Sequence, residues 1–417
     1  MTHAHEDVYR SVIFYPLIRR CTCHEAASAL NGASPCMRTL HVVAVWGAPR
    51  RAHIHRASMR LIYRYTGLTF LGINVKGNNA MRQLILQAAG DLQLRHINPV
   101  SAPGTGEVTA RVRRVGICGT DLHAFAGKQP FFQYPRVLGH ELAVEVVACG
   151  DKVNTVSRGD VVAVRPYMEC GQCRACQRGL TNCCSTLKVL GVHIDGGMQE
   201  YINLPADHLH HAQGASVEGL ALVEMLSIGF HAIRRAHALP DDRILVVGLG
   251  PIGLGVALAA RERGLGIMAL DPSPIRRQFA LDHGLVTAAA APGEHPAQAA
   301  HELWGGHAPD IVLDATGHVG AMESSFAIPG SGGKVVYVGL VQDHIRFFDP
   351  ELHRREISIL ASRNATSVDF DAVIAALPHI DVPAWVNRTT TPDELAGVMP
   401  LWRDPAAGVI KGMLSFD

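Results

Sequence analysis

Three glycines at fixed spacing constrain this chain more than any other feature. The apolar run Ile244–Val247 is followed at once by Gly248-Leu249-Gly250-Pro251-Ile252-Gly253, and residues 252–263 continue as an Ala- and Leu-rich, helical stretch. The pattern alone does not separate a nucleotide site from an ordinary glycine-rich turn; the strand before it and the helix after it do. Gly248 permits the tight turn, Gly250 lets backbone approach a pyrophosphate, and Gly253 lets the helix pack on the strand, while the helix start supplies free N–H groups and positive potential. A second strand over residues 266–270 ends at Asp271. This lies near the separation of about 20 residues at which a carboxylate accepts hydrogen bonds from the adenosine ribose hydroxyls. The same carboxylate repels a 2′-phosphate, so NAD is expected rather than NADP, with Arg276 and Arg277 close enough in sequence to soften the discrimination. The competing role for Asp271 is a capping turn residue before Pro272. Further strand-like runs at Ile311–Asp314 and 335–339, with helical stretches between, extend the segment into repeated βα units and a parallel sheet.

Upstream the texture differs. Residues 82–86 and 106–115 read as short strands separated by the Pro103-Gly104 turn, and residues 138–164 hold further Val-rich runs, as in a many-stranded β domain. The alternation fades after about Thr366, and residues 409–416 could form a final strand. Residues 1–80 show no sustained helical or strand period.

Five of the ten cysteines crowd into residues 170–184. Cys170, Cys173, Cys176 and Cys184 form C-x2-C-x2-C-x7-C, a spacing that brings four thiolates to one tetrahedral zinc and leaves no open position, so such an ion would be structural. Chance spacing or a redox pair is the bland alternative, and on spacing alone Cys183 competes with Cys184. Earlier, Cys118, Thr120, Asp121, His123, His140 and Glu141 place a thiol, a hydroxyl, carboxylates and imidazoles within two dozen residues. Catalytic zinc commonly has three protein ligands and one open position, and Cys118 with His140 would be two of them.

Charge and composition remove other classes. With 48% hydrophobic and 18% charged residues, wholesale disorder is excluded. Ten Lys plus Arg face three Asp plus Glu in residues 1–80, leaving 28 against 34 and a net charge of −6 in the remainder. That sign, with no basic stripe, speaks against a nucleic-acid module built on the cysteine loop. Neither a secretory signal nor an uncharged apolar stretch of about 18 residues is present, so no membrane association and a cytoplasmic location are expected.

Taken together, Val115-Gly116-Ile117-Cys118-Gly119-Thr120-Asp121, Gly139-His140-Glu141, the four-cysteine loop, Asp195-Gly196-Gly197, Glu224 with Ser227 and Gly229, and the 248–253 loop resemble the zinc-dependent medium-chain alcohol dehydrogenases. The resemblance is strongest to the polyol and sugar-acid branch near sorbitol, threonine and galactonate or idonate dehydrogenases. It runs from Met81 to the C-terminus. It implies an α/β protein with a β-rich GroES-like catalytic domain (81–235 and 366–417) and a Rossmann doubly wound domain (236–365). It implies that Cys118 and His140 bind a catalytic zinc, that Glu224 binds it or holds its water, and that Glu141 is a nearby carboxylate able to exchange with water. Asp121 would orient the ligand imidazole, Thr120 would receive the substrate proton, His123 would be the outer end of the relay, and Cys184 would be the fourth structural ligand. Gly248, Gly250, Gly253, Asp271 and Arg276 would contact the cofactor. The expected reaction is hydride transfer from a secondary alcohol of a polyol or sugar acid to NAD by a homodimer or homotetramer. A general or threonine-type amino-alcohol dehydrogenase and a non-catalytic dinucleotide sensor are the alternatives. One departure is Met225, where the polyol branch usually has proline after the glutamate. Residues 1–80 have no counterpart, which suggests a true start at or near Met81, with a basic appendage as the rival reading.

Overall fold

The computed structural model describes residues 80–129 and 132–417. The expectations about the N-terminal segment therefore lie, apart from Ala80, outside the described residues.

Strands β1 (Met81–Ala88) and β2 (Asp91–Ile97) form an antiparallel hairpin turned at Gly90, whose φ of +78° suits glycine. The sequence reading placed no strand at β2, where alternation around Leu92 and Leu94 is short and heavily interrupted by polar residues. The long β3 (Glu107–Ile117) buries Val108, Ala110 and Val112 on one face, the period of two expected of a half-buried strand. It pairs antiparallel with β4 (Glu141–Cys149), and the sheet continues through β5 (Val161–Val164). The short pair β6 (Tyr167–Met168) and β7 (Lys188–Val189) brackets the cysteine loop. Strand β8 (Tyr201–Pro205) then pairs with β3, and β9 (Leu209–His211) with β5.

Six parallel strands follow: β10 (Ile244–Val247), β11 (Ile267–Leu270), β12 (Ala288–Ala290), β13 (Ile311–Asp314), β14 (Lys334–Tyr337) and β15 (Ser358–Ala361). Their order is β12-β11-β10-β13-β14-β15, so the chain reverses direction between β10 and β13, and the crevice at the carboxyl ends there is where such sheets bind nucleotides. Two more strands, β16 (Arg388–Thr390) and β17 (Gly412–Ser415), return to the first sheet, with β17 antiparallel to β3. The segment after Thr366 is more structured than its fading alternation suggested: helices Ser367–Ala376 and Leu395–Trp402 lie there. The second holds Pro400 near its end and is retained because Leu395 and Met399 are fully buried.

Of the helices, α1 (Gly119–Phe125) follows β3, α2 (Arg174–Gln177) lies in the cysteine loop, α3 (Val217–Ala236) lies between the two large sheets, and α4 (Pro251–Glu262) follows β10. Ser216 caps α3 by accepting from the Gly219 N–H. The core around α3 mixes Ala143 and Ala163 of the first sheet with Val246 and Leu313 of the second. A side chain at Gly229 would meet the Gly255 backbone 2.2 Å away, so glycine there sets how closely α3 and α4 approach.

The far end of α3 is tied down by Asp369. Its carboxylate accepts from Arg234 Nε at 2.7 Å and Nη2 at 2.8 Å and from the Thr366 N–H at 2.9 Å, and lies 3.0 Å from His231 Nδ1. Burial opposes its charge, but the hydrogen bonds from Arg234 and His231 outweigh it and hold the carboxyl well below the ordinary aspartate range. Asp369→Asn should lower stability at neutral pH by about 3 kcal/mol, as expected on removing one partner of a buried pair. A native pKa below the unfolded one means the contribution is complete above about pH 4 and is lost as pH falls toward the native value. Urea titrations should therefore show the gap between wild type and variant narrowing below about pH 4; a gap that stays constant on acidification contradicts this role.

Candidate active site

The register of β3 on β4 assembles the first cluster. Gly116 stands opposite Glu141, so Cys118 and His140 meet just beyond the paired ends. Cys118 caps α1: its N–H donates to Asp121 Oδ2 at 2.9 Å, and its Sγ accepts from the Thr120 N–H at 3.5 Å. Asp121 is fully buried, accepts from the Gly139 N–H at 3.4 Å, and faces His140 Nδ1 at 3.9 Å. That leaves Nε2 of His140 available as a ligand, the usual arrangement when a carboxylate orients a ligating imidazole. Cys118, His140 and Glu141 each offer a ligand atom, and these atoms all lie within 4.8 Å of one another.

Glu141 is fully buried, and apart from Lys411 no donor among the described residues reaches its carboxylate. It ion-pairs with Lys411, itself 1% exposed and placed by the β17–β3 register, which aligns Gly412 with Ile117. Burial disfavours the Lys411 charge, yet Glu141, Cys118 and Glu224 raise its pKa above the ordinary value. A Cβ on Gly116 would sit 2.0 Å from Glu141 Oε2, so this position must be glycine for the carboxylate to fit.

Glu224 enters from α3, buried at 6% exposure, and is not part of the three-residue group. The Tyr167 hydroxyl donates to Glu224 Oε1. Burial, reinforced by Glu141, pushes the Glu224 carboxyl up to about 7. Burial likewise raises Asp121 despite the opposing His140. A thiol and three carboxyls thus share a dry space with Lys411, a charge arrangement and donor set that suit a divalent cation. Thr120 is half-buried on α1. His123 lies on the outer side of that helix, where ring burial, then Arg403 and Lys128, lower its pKa.

The second cluster gathers the sulfurs of Cys170, Cys173, Cys176 and Cys184 within 4.8 Å of one another. Backbone N–H groups of Cys170 and Cys173 donate to Cys184 Sγ and Cys170 Sγ, each at 3.3 Å. Such donors favour thiolates, and those from Cys176 and Ser185 bring the Cys173 thiol down to about 5. Cys183 is exposed and outside this group, so the geometry separates it from Cys184 where spacing alone did not.

At the glycine-rich turn, Gly248 has φ +90°, and a Cβ on Gly253 would lie 1.8 Å from the Gly248 carbonyl oxygen. Gly250 caps α4, and its missing Cβ faces open space apart from Arg276 Nη1 at 4.0 Å. Asp271 serves the turn directly: Oδ2 accepts from the Leu249 N–H at 2.6 Å and Oδ1 from the Ser273 N–H at 2.7 Å. Arg277 donates to the Asp271 and Pro272 carbonyls, whereas Arg276 stays beside the loop.

Sequence reasoning missed Lys411 and Tyr167. Lys411 carries a signal, a lone cation in the apolar run 409–416; Tyr167, before the cysteine loop, carries none that distinguishes it from a core aromatic.

Known proteins resemble this chain over both of its large sheets. Residues 104–214 match the alcohol dehydrogenase GroES-like domain and residues 251–378 the zinc-binding dehydrogenase family. Over 298 residues the chain is 41% identical to L-galactonate-5-dehydrogenase of Escherichia coli K12, covering 71% of this chain and 86% of that one. The chain belongs to the zinc-binding alcohol dehydrogenases. It is an oxidoreductase acting on CH–OH donors, with zinc and a nicotinamide dinucleotide as cofactors, as the sequence reading expected. An Escherichia coli CFT073 alcohol dehydrogenase structure complexed with NADH aligns at TM-score 0.75 and 26% identity, covering 81% of this chain and 99% of that one. A zinc-binding dehydrogenase from Sinorhizobium meliloti 1021, bound to NADP, aligns at TM-score 0.74 and 25% identity over 81% and 99% of the two chains. The GroES-like and Rossmann expectation for this dehydrogenase is thus confirmed. Among its described residues no helix is long and apolar enough to cross a membrane.

The geometry of the cysteine loop predicts that Cys184→Ser loses one zinc per chain by metal analysis and unfolds at lower temperature, whereas Cys183→Ser retains the wild-type zinc content. Zinc loss in Cys183→Ser, with retention in Cys184→Ser, would reverse the assignment.

Proposed function

We propose that this dehydrogenase oxidises a secondary hydroxyl of a sugar acid or polyol, L-galactonate or a near analogue among them, and delivers the hydride to NAD. The observation that carries the reading is the convergence of Cys118, His140 and Glu141 at the ends of β3 and β4, with Glu224 beside them. In this reading residues 81–235 with 366–417 carry the chemistry and 236–365 bind the dinucleotide. The homodimer or homotetramer rests on the resemblance alone.

Cys118, His140 and Glu141 would hold the catalytic zinc, and Cys170, Cys173, Cys176 and Cys184 the structural one. Bound zinc supplies Lewis acidity toward the substrate hydroxyl, the effect that takes the pKa of water from 15.7 to about 7. Asp121 keeps the His140 ring oriented with Nδ1 turned to its carboxylate. Thr120 takes the hydroxyl proton and passes it toward His123, whose lowered pKa keeps the imidazole neutral and able to accept it at neutral pH. Gly248, Gly250 and Gly253 let the cofactor pyrophosphate approach the start of α4, and the nicotinamide supplies the hydride acceptor. Preference for NAD is supported by Asp271, whose buried carboxylate beside Leu249 opposes a 2′-phosphate, while Arg276 beside Gly250 weakens that opposition.

Cys118→Ser and His140→Ala should each abolish NAD reduction with L-galactonate, by at least about a thousandfold, while NADH binding followed by fluorescence changes little; full turnover in either variant removes the assignment. Asp271→Gly should raise the NADP to NAD ratio of kcat/KM about tenfold, a change of about 1.4 kcal/mol. An unchanged ratio counts against Asp271 as the discriminating group.

A further inference from the structure

We propose that Tyr167 is a positioning residue that holds Glu224 in reserve, away from the metal at Cys118, His140 and Glu141, so that one coordination position stays free for substrate. This inference rests on the metal site proposed above.

Three observations carry it. The Tyr167 hydroxyl donates to Glu224 Oε1, and both side chains are buried, at 2% and 6% exposure. Glu224 stands outside the group formed by Cys118, His140 and Glu141, although it is a buried residue of α3. The phenol is also fixed from behind. The Tyr167 carbonyl accepts from Arg165 Nη1 at 3.2 Å and lies 3.1 Å from His208 Nε2, and the ring packs edge-on against Phe370 with centroids 6.2 Å apart. Arg165 and His208 both reach Glu169 Oε2, at 2.6 and 3.4 Å, and Glu169 immediately precedes Cys170. Tyr167 is therefore anchored by the strand that leads into the cysteine loop, and its hydroxyl has a fixed place from which to hold the carboxylate.

Two carboxylates compete for one ion here, and each has a tether. Lys411 accompanies Glu141 inside the group, whereas Tyr167 draws Glu224 outward. A hydrogen bond to a charged group shifts such a balance by about tenfold or more, enough to decide which carboxylate the metal takes. With Glu224 withheld, the protein supplies three ligands, the number that leaves an exchangeable position.

The test is metal binding by the full chain after chelator treatment, with zinc affinity at the weaker site measured by competition and cobalt(II) as a spectroscopic probe. Tyr167→Phe should bind zinc about tenfold more tightly, and its cobalt(II) ligand-field bands should shift while staying intense as Glu224 takes the open position. A merely structural tyrosine would give the opposite, weaker binding. In the Glu224→Gln background the gain should vanish, so that Tyr167→Phe/Glu224→Gln matches Glu224→Gln alone. Unchanged or weaker zinc binding in folded Tyr167→Phe overturns the proposal. So does a gain that survives in the double variant relative to Glu224→Gln alone. Cys118→Ser separates the two levels. Loss of this metal in Cys118→Ser with no gain in Tyr167→Phe overturns the tyrosine's role alone; retention of the metal overturns the underlying site and the tyrosine's role with it.

Discussion

A buried carboxylate whose partner is a single buried lysine is the constraint on which this structure turns. Glu141 is fully enclosed, only Lys411 among the described residues reaches its carboxylate, and that cation must also answer for Cys118 and Glu224. Such an arrangement is costly unless a further positive charge enters. Everything that places Glu141 follows from the pairing of three strands. Gly116 leaves room for it, the β3–β4 register sets it beside His140, and the β17–β3 register brings Lys411 to it from the far end of the chain. A slip of one residue between β3 and β4 would turn Glu141 to the opposite face and dismantle the group.

The rest of the fold links this cluster to the glycine-rich turn through one helix. The helix α3 carries Glu224 near its start and Asp369's partners Arg234 and His231 near its end, and packs on α4, which begins at the glycine-rich turn. Its glycine at 229 brings the two helices into backbone contact. The helix that carries Glu224 beside this cluster is thus the same one that packs on the helix opening at the glycine-rich turn.

What could be read from the sequence was what is local. The glycine turn, Cys118 with Asp121, and three of the four sulfurs lie within a few residues of their partners, and their spacing follows from turn and helix-cap geometry. Spacing could not choose between Cys183 and Cys184, because adjacent residues differ only in which way the chain turns them; the fold exposes one and buries the other. Lys411 and Tyr167 were missed because their partners are Glu141 and Glu224, which only strand register and helix packing bring near. The strand β2 and the helix Leu395–Trp402 escaped for a related reason: each is held by tertiary contacts of a few buried residues such as Leu92, Leu395 and Met399 rather than by a strong local pattern.

Zinc-edge X-ray absorption on the metal-replete chain tests the central assignment most directly. Two ions per chain are expected, one with an all-sulfur shell and one with a single sulfur among nitrogen and oxygen, five sulfurs over the pair from the two clusters. A single zinc with only sulfur neighbours would contradict the account, because the ends of β3 and β4 would then hold no metal at all.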